Sequence, residues 1–194
     1  GLGDVYKRQD FGRVSDAMME SATDNSVYTW ENNSIYYITN GIWSPLKRVD
    51  DGWGFWDGVR SANLFLENFD PKVLERFQYN EDYDEMIDKA SKFSLEVRFL
   101  RAFYLFVLAK RYGDIPLITR TYTQEEINSV RKTSFADVID FIAKECTEIT
   151  REGGLPEDGV RGETGRVTKG AALALKSRAL LYAASDLHLS LIHI

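Results

Sequence analysis

Residues 93–117 read FSLEVRFLRAFYLFVLAKRYGDIPL, and this stretch decides the fold. Leu95, Phe99, Ala102, Phe106 and Ala109 recur at alternating four- and three-residue steps, the spacing of one helix face. Val97, Leu100, Phe103, Val107 and Leu108 cover most of the remaining surface, which predicts a helix buried on nearly all sides. Gly113 suits the left-handed conformation that closes a helix, and Pro116 cannot extend one, so the chain stops hard at Tyr112-Gly113-Asp114-Ile115-Pro116.

Working outward, the same reasoning predicts a first helix over about Gly52 to Asn68. There Phe55, Val59, Ala62, Leu66 and Phe69 share a face and Pro71 is the stop. The quoted helix is the second, from near Tyr83 to Tyr112. A third starts at Ser134, whose spacing to Asp137 fits a capping box, and continues to about Arg151 before Gly153-Gly154. A fourth follows Thr168 as N-cap through GAALALKSRALLYAAS, where the alanines let a neighbouring helix approach closely. Helix starts near residues 52 and 84, and again near 134 and 168, lie about 34 residues apart, the period of a tetratricopeptide-type hairpin repeat. The expectation is an all-α, tetratricopeptide-like helical-hairpin fold with irregular loop insertions. One of these, Gly113 to Thr133, is too long for a plain repeat turn, and such loops on helical scaffolds are where something is gripped or packed. A short helix is expected at about Asp10 to Met19.

A chain of 194 residues fits one domain, and 44% apolar with 28% charged residues is ordinary for a globular protein. The net charge of −6, with Arg161, Arg166, Lys169, Lys176 and Arg178 dispersed among Ala and Gly, argues against nucleic acid as a partner. Cys146 continues the apolar face of Phe135, Val138, Ile139, Ile142 and Ile149 and reads as a small buried hydrophobe. Gly1 to Gln9 and the alternating run at the other end look foreign to the rest. The expected domain is therefore residues 10–187, with 1–9 and 188–194 as non-native flanking sequence.

All four tryptophans, Trp30, Trp43, Trp53 and Trp56, fall within residues 30–56, alongside Tyr28, Tyr36 and Tyr37. Such density serves either packing or a flat platform on which the C–H face of a sugar stacks while nearby Asp, Asn and Arg take the hydroxyls. The polar, turn-rich run Asn40-Gly41-Ile42-Trp43-Ser44-Pro45 favours exposure of Trp43, whereas Trp56, beside Phe55 and Val59, reads as core. Catalytic groups are missing from the pattern. Both histidines, His188 and His193, lie in the tail, leaving none for a triad, a metal site or general-base work. No catalytic residue, metal ligand or cofactor is assigned. Gly159-x-x-Gly162-x-x-Gly165 lacks the Gly-Lys-Ser/Thr order and the preceding strand of a phosphate loop. Asn63, Arg98 and Arg101 read as architectural: a buried amide bonded to the neighbouring helix, and two cations pairing with carboxylates or loop carbonyls.

Arg98 to Leu117, the segment Ala62-Asn63-Leu64-Phe65-Leu66-Glu67-Asn68 and the helix Arg166-Val167-Thr168-Lys169-Gly170-Ala171-Ala172-Leu173 occur in one order, and together they closely resemble the SusD/RagB family of glycan-capturing surface lipoproteins. By that resemblance the chain is an internal fragment of a protein held by lipid on the outer face of the outer membrane. It would bind oligosaccharide without catalysis and deliver it to a SusC-type TonB-dependent transporter. Asp16 to Asn25 is similar to an early acidic segment that gives the family some of its glycan hydrogen bonds. The expected ligand-binding residues are therefore Trp30, Trp43, Asn40 and Asp24. Two rivals stand beside this reading: a helical-barrel glycoside hydrolase, which needs two opposed carboxylates, and a helical-repeat adaptor that binds a peptide.

Overall fold

The computed structural model describes residues 13–14, 17–29, 34–44, 46, 53–151, 153–157 and 165–189. They fall into two units, residues 1–51 and 52–194.

In the first unit the expected helix over 10–19 is replaced, in its described part, by a short antiparallel ladder. Arg13 pairs with Met18 and Val14 with Ala17. Val14 is β-branched and favours extended backbone over the weak helical spacing of this stretch. A 3-10 turn over Met19–Ala22 follows. Helix α1, Ile35–Thr39, buries Ile35 against Ala22, Tyr28, Tyr36 and Ile38.

The second unit contains the four long helices, and two of them start where the sequence places the cap. Helix α2 is Phe55–Asn68 and α3 is Tyr83–Tyr112. After the insert, with its one-turn helix α4 (Gln124–Ile127), come α5 (Phe135–Ile149) and α6 (Lys169–Ala183), followed by a short α7 (Asp186–Leu189). Ser134 accepts the Asp137 N–H at 3.2 Å and Thr168 accepts the Ala171 N–H at 3.3 Å, each satisfying a donor that the first helical turn leaves free. The link between α2 and α3 is a 3-10 turn, Pro71–Phe77, whose Asp70 accepts the Lys72 N–H at 3.0 Å.

Contacts between α2 and α3 run Gly58 to Tyr104, Asn63 to Arg101 and Phe69 to Phe93, so the two are antiparallel. The same reversal relates α3 to α5 and α5 to α6, and it builds an up-down stack of helical hairpins around one core. Leu105, Leu108, Val138, Ile139 and Ile142 form its centre, each at or below 1% exposure. Burying each contributes roughly 1.5–3 kcal/mol, and this term outweighs helix propensity in holding the stack. Ala172 and Ala179 of α6 are fully buried in the packed layers. Cys146 is buried too, and loss of solvation pushes its thiol up to about 11, with the Glu145 charge adding to it.

Two expectations need correction. Helix α3 is buried on nearly all sides only from Arg101 to Ala109; its first half is half-exposed and Leu100 reaches solvent. Helix α2 begins at Phe55, with Gly54 at its N-cap position, rather than at Gly52. The reason for a glycine further along α2 is tertiary. A Cβ on Gly58 would lie 2.6 Å from the Tyr104 ring. That ring is itself wedged between Phe55 and Phe103. Gly58→Ala, which in an isolated helix stabilises, is therefore expected to destabilise this fold by about 1–3 kcal/mol through overpacking. Urea unfolding checks it, and a gain in stability would mean that the α2–α3 spacing relaxes freely.

Candidate functional site

The insert after α3 owes its shape to a chain of polar contacts. Gly113 takes φ +68° and donates its N–H to Ala109 O at 2.8 Å, closing the helix. The two ends of the insert meet where Thr133 N–H bonds Ile115 O at 2.9 Å and Phe135 N–H bonds the Asp114 carboxylate at 2.9 Å. Between them, residues 118–121 lie as a strap along α2. Asn63, 1% exposed, donates to the carbonyls of Ile118 (3.2 Å) and Arg120 (3.1 Å). Arg101 reaches from α3 to Asn63 Oδ1 and to Thr119 O, both at 3.0 Å. Glu67 accepts the Thr121 N–H and hydroxyl, each at 2.6 Å, and these bonds hold its carboxyl below the usual range.

Beneath this strap Arg101 also donates to Glu145 of α5 at 3.0 Å, and Arg98 grips the same carboxylate with two bonds of 3.1 and 2.7 Å. Desolvation opposes the charge on Glu145, but the hydrogen bonds and charges of Arg98 and then Arg101 outweigh it and hold the carboxyl below its ordinary value. The architectural reading of Asn63, Arg98 and Arg101 is thus met in detail. One buried polar set ties α2, α3, α5 and the strap together. Farther along, Thr123 and Glu126 form a reciprocal capping box for α4. Arg120 donates to Glu126 at 2.9 Å, and this bond, followed by the Thr123 N–H, draws the Glu126 carboxyl down to about 2.

So held, the strap, the start of α2 and the end of α3 enclose a cleft of about 730 Å³. Trp53 and Tyr112 line it, their rings 5.5 Å apart and tilted by 39°, with Trp53 53% exposed. Trp56, expected as core, packs on the core and also lines the cleft. Tyr122 lies under the Arg120 guanidinium at 4.0 Å. Arg60, Asp57 and Lys132 add charge to the lining. Ring faces beside hydrogen-bonding side chains suit a polyol with apolar C–H faces. Among the described residues no group of His, Cys, Asp and Glu is placed to hold a metal ion. His188 is spent in a stack on Phe135, 3.8 Å between centroids.

The residues expected to bind ligand are distributed differently. Asp24 and Asn40 line a smaller cleft of about 460 Å³ in the first unit, with Tyr28 and Tyr36. Trp43 does not line it. Gly41, at φ +65°, turns the chain after α1, and the Trp43 N–H bonds Tyr37 O at 2.7 Å, leaving the indole 54% exposed. Trp30 lies outside the described residues. The larger cleft is the one that sequence reasoning missed. Trp53 and Tyr112 stand far apart in the chain, and only the antiparallel pairing of α2 with α3 brings them together.

Comparison with known proteins gives a consistent result. A SusD-like family model, described as starch-binding and associating with outer membrane, matches residues 3–181. A solved SusD-like carbohydrate-binding protein from Bacteroides fragilis is 29% identical, with a TM-score of 0.63 over 84% of this chain and 30% of its own. Another SusD-like protein from the same species is 34% identical, with a TM-score of 0.55 over 69% of this chain and 24% of its own. A laminarin-binding SusD-like protein is 26% identical, with a TM-score of 0.60 over 80% of this chain and 31% of its own. No curated protein matches the chain. The chain spans about a quarter to a third of the length of these solved relatives. With an all-α hairpin stack, the sequence motifs in their expected order and a family match over nearly its whole length, this chain belongs to the SusD/RagB family of carbohydrate-binding proteins.

Proposed function

We propose that the chain is the helical core of a non-catalytic glycan-binding protein that captures oligosaccharide at the cell surface and passes it to a SusC-type TonB-dependent transporter. The parent protein is held at the outer membrane by a lipid anchor, and residues 10–187 are its contribution to the helical-repeat domain. No described helix is long and apolar enough to cross a membrane. The observation that carries the reading is the cleft walled by Trp53 and Tyr112, where sugar-compatible ring faces share a lining with hydrogen-bonding side chains. Trp43, exposed in the first unit, is a second aromatic contact, with Asp24 and Asn40 supplying hydrogen bonds nearby in sequence.

Calorimetric titration against a panel of oligosaccharides, laminarin-derived ones included, is expected to show binding without any new reducing ends. Trp53→Ala should weaken that binding by about 1–3 kcal/mol, the scale of a lost aromatic anchor, and leave the melting temperature nearly unchanged. Trp43→Ala is tested in the same titration. Turnover abolished by mutating one carboxylate would overturn the binding-only reading, and silence across the whole panel would overturn glycan capture.

A further inference from the structure

In this acidic chain the cleft beside Trp53 has an unusual charge pattern. Several basic side chains of the second unit are paired with carboxylates: Arg98 and Arg101 with Glu145, Arg120 with Glu126, Arg166 with Glu96 and Lys169 with Glu157. Arg60 and Lys132 both line the cleft, both are exposed, and neither has a hydrogen bond or ion pair to a carboxylate or carbonyl among the described residues. The same lining carries two carboxylates, Asp57 and Asp114. Asp114 spends an oxygen on the Phe135 N–H, and Asp57, one turn before Arg60 on α2, makes no ion pair with it. A guanidinium fork and an ammonium without partners among the described residues, on the same cleft lining as two ring faces, fit a ligand that presents both a pyranose face and an anion.

We infer that the cleft selects acidic saccharides, with the C–H face of a uronic acid residue on Trp53 and Tyr112 and its carboxylate held by Arg60 and Lys132. The inference rests on the reading of this cleft as a glycan site and names the class of glycan. A sulfate ester offers the same negative charge with a different shape. The planar carboxylate matches the two parallel N–H bonds that Arg60 can give.

The test is titration of the protein with three probes: a short oligogalacturonate, the same oligomer fully methyl-esterified, and a sulfated galactan oligomer of equal length. The free acid is expected to bind about tenfold or more tighter than its ester, the scale of one or two charge-assisted hydrogen bonds. The gap should narrow as added salt shortens the screening length. Combining Arg60→Gln with Lys132→Gln should abolish the gap and keep the melting temperature, since neither side chain has a hydrogen-bond or ion-pair partner among the described residues. Trp53→Ala should weaken acid and ester alike. Equal affinity for acid and ester, or a preference that survives the double substitution, would overturn the acidic assignment while leaving glycan binding in place. A sulfated oligomer bound more tightly than the carboxylated one would overturn the uronate assignment in favour of the ester. Absence of binding by all three probes, with the panel above also silent, would remove the glycan reading itself.

Discussion

Arg101→Ala is expected to lower stability by about 3–5 kcal/mol, the usual result of breaking a buried ion pair from one side. The loss spreads beyond one bond. Asn63 Oδ1 and Thr119 O lose the donor that reaches them, and Glu145, whose side chain is only 12% exposed, keeps Arg98 alone. The strap should also loosen, so hydrogen exchange at Thr119 to Thr121 is expected to accelerate more than exchange in α6. A companion experiment works from the carboxylate. Because the folded state holds Glu145 below the value of an unfolded carboxylate, about 4.3, its contribution is fully present above that pH and is lost as pH falls through the lower folded value. Unfolding measured between about pH 6 and pH 2 should show this acid-labile increment in the wild type and a smaller one in Glu145→Gln. An identical acid limb in both proteins, or a loss under about 1 kcal/mol for Arg101→Ala, the range of a surface pair, would show that the polar set contributes no more than exposed ion pairs do.

Phe106→Ala should cost about 3–5 kcal/mol, since removing a large ring from a tight core forfeits its transfer energy and leaves a cavity. Phe106 is 2% exposed and meets the Tyr182 ring edge-on at 5.4 Å, so α3 and α6 both lose a partner. Phe99, on the same face in sequence, is only partly buried, stacking on Phe103 at 6.4 Å. Phe99→Ala is expected to cost clearly less. Guanidinium denaturation of both variants decides the matter: equal losses would mean that the face of α3 is uniformly core, as its spacing alone suggests.

That difference between two phenylalanines shows where sequence reading stops. Period and punctuation are local, so the four long helices, the caps at Ser134 and Thr168 and the stop at Gly113 were all legible. Each depends on residues within a turn or two of one another, whose preferences are the same in any context. The architectural role of Asn63, Arg98 and Arg101 could also be read, because a polar group on an apolar helix face must find a partner. Which partners they find, one shared glutamate and three strap carbonyls, could not.

The candidate site divides along the same line. Clustering of tryptophans between residues 30 and 56 announced an aromatic surface, and the family resemblance announced a glycan. Sequence alone then gathered Trp30, Trp43, Asn40 and Asp24 into one site because they are neighbours in the chain. The tertiary structure puts Asp24 and Asn40 on one small cleft of the first unit and, in the second unit, pairs Trp53 with Tyr112 and brings Arg60 to the same cleft as Lys132. By itself the sequence determined an all-α hairpin repeat, since helix period, caps and stops are set by nearby residues, while the likeness to the SusD/RagB family came from the resemblance of its motifs. Only the tertiary structure decided which rings and charges share a cleft, because that follows from the antiparallel packing of α2 on α3 and from a strap held by hydrogen bonds between residues far apart in the chain.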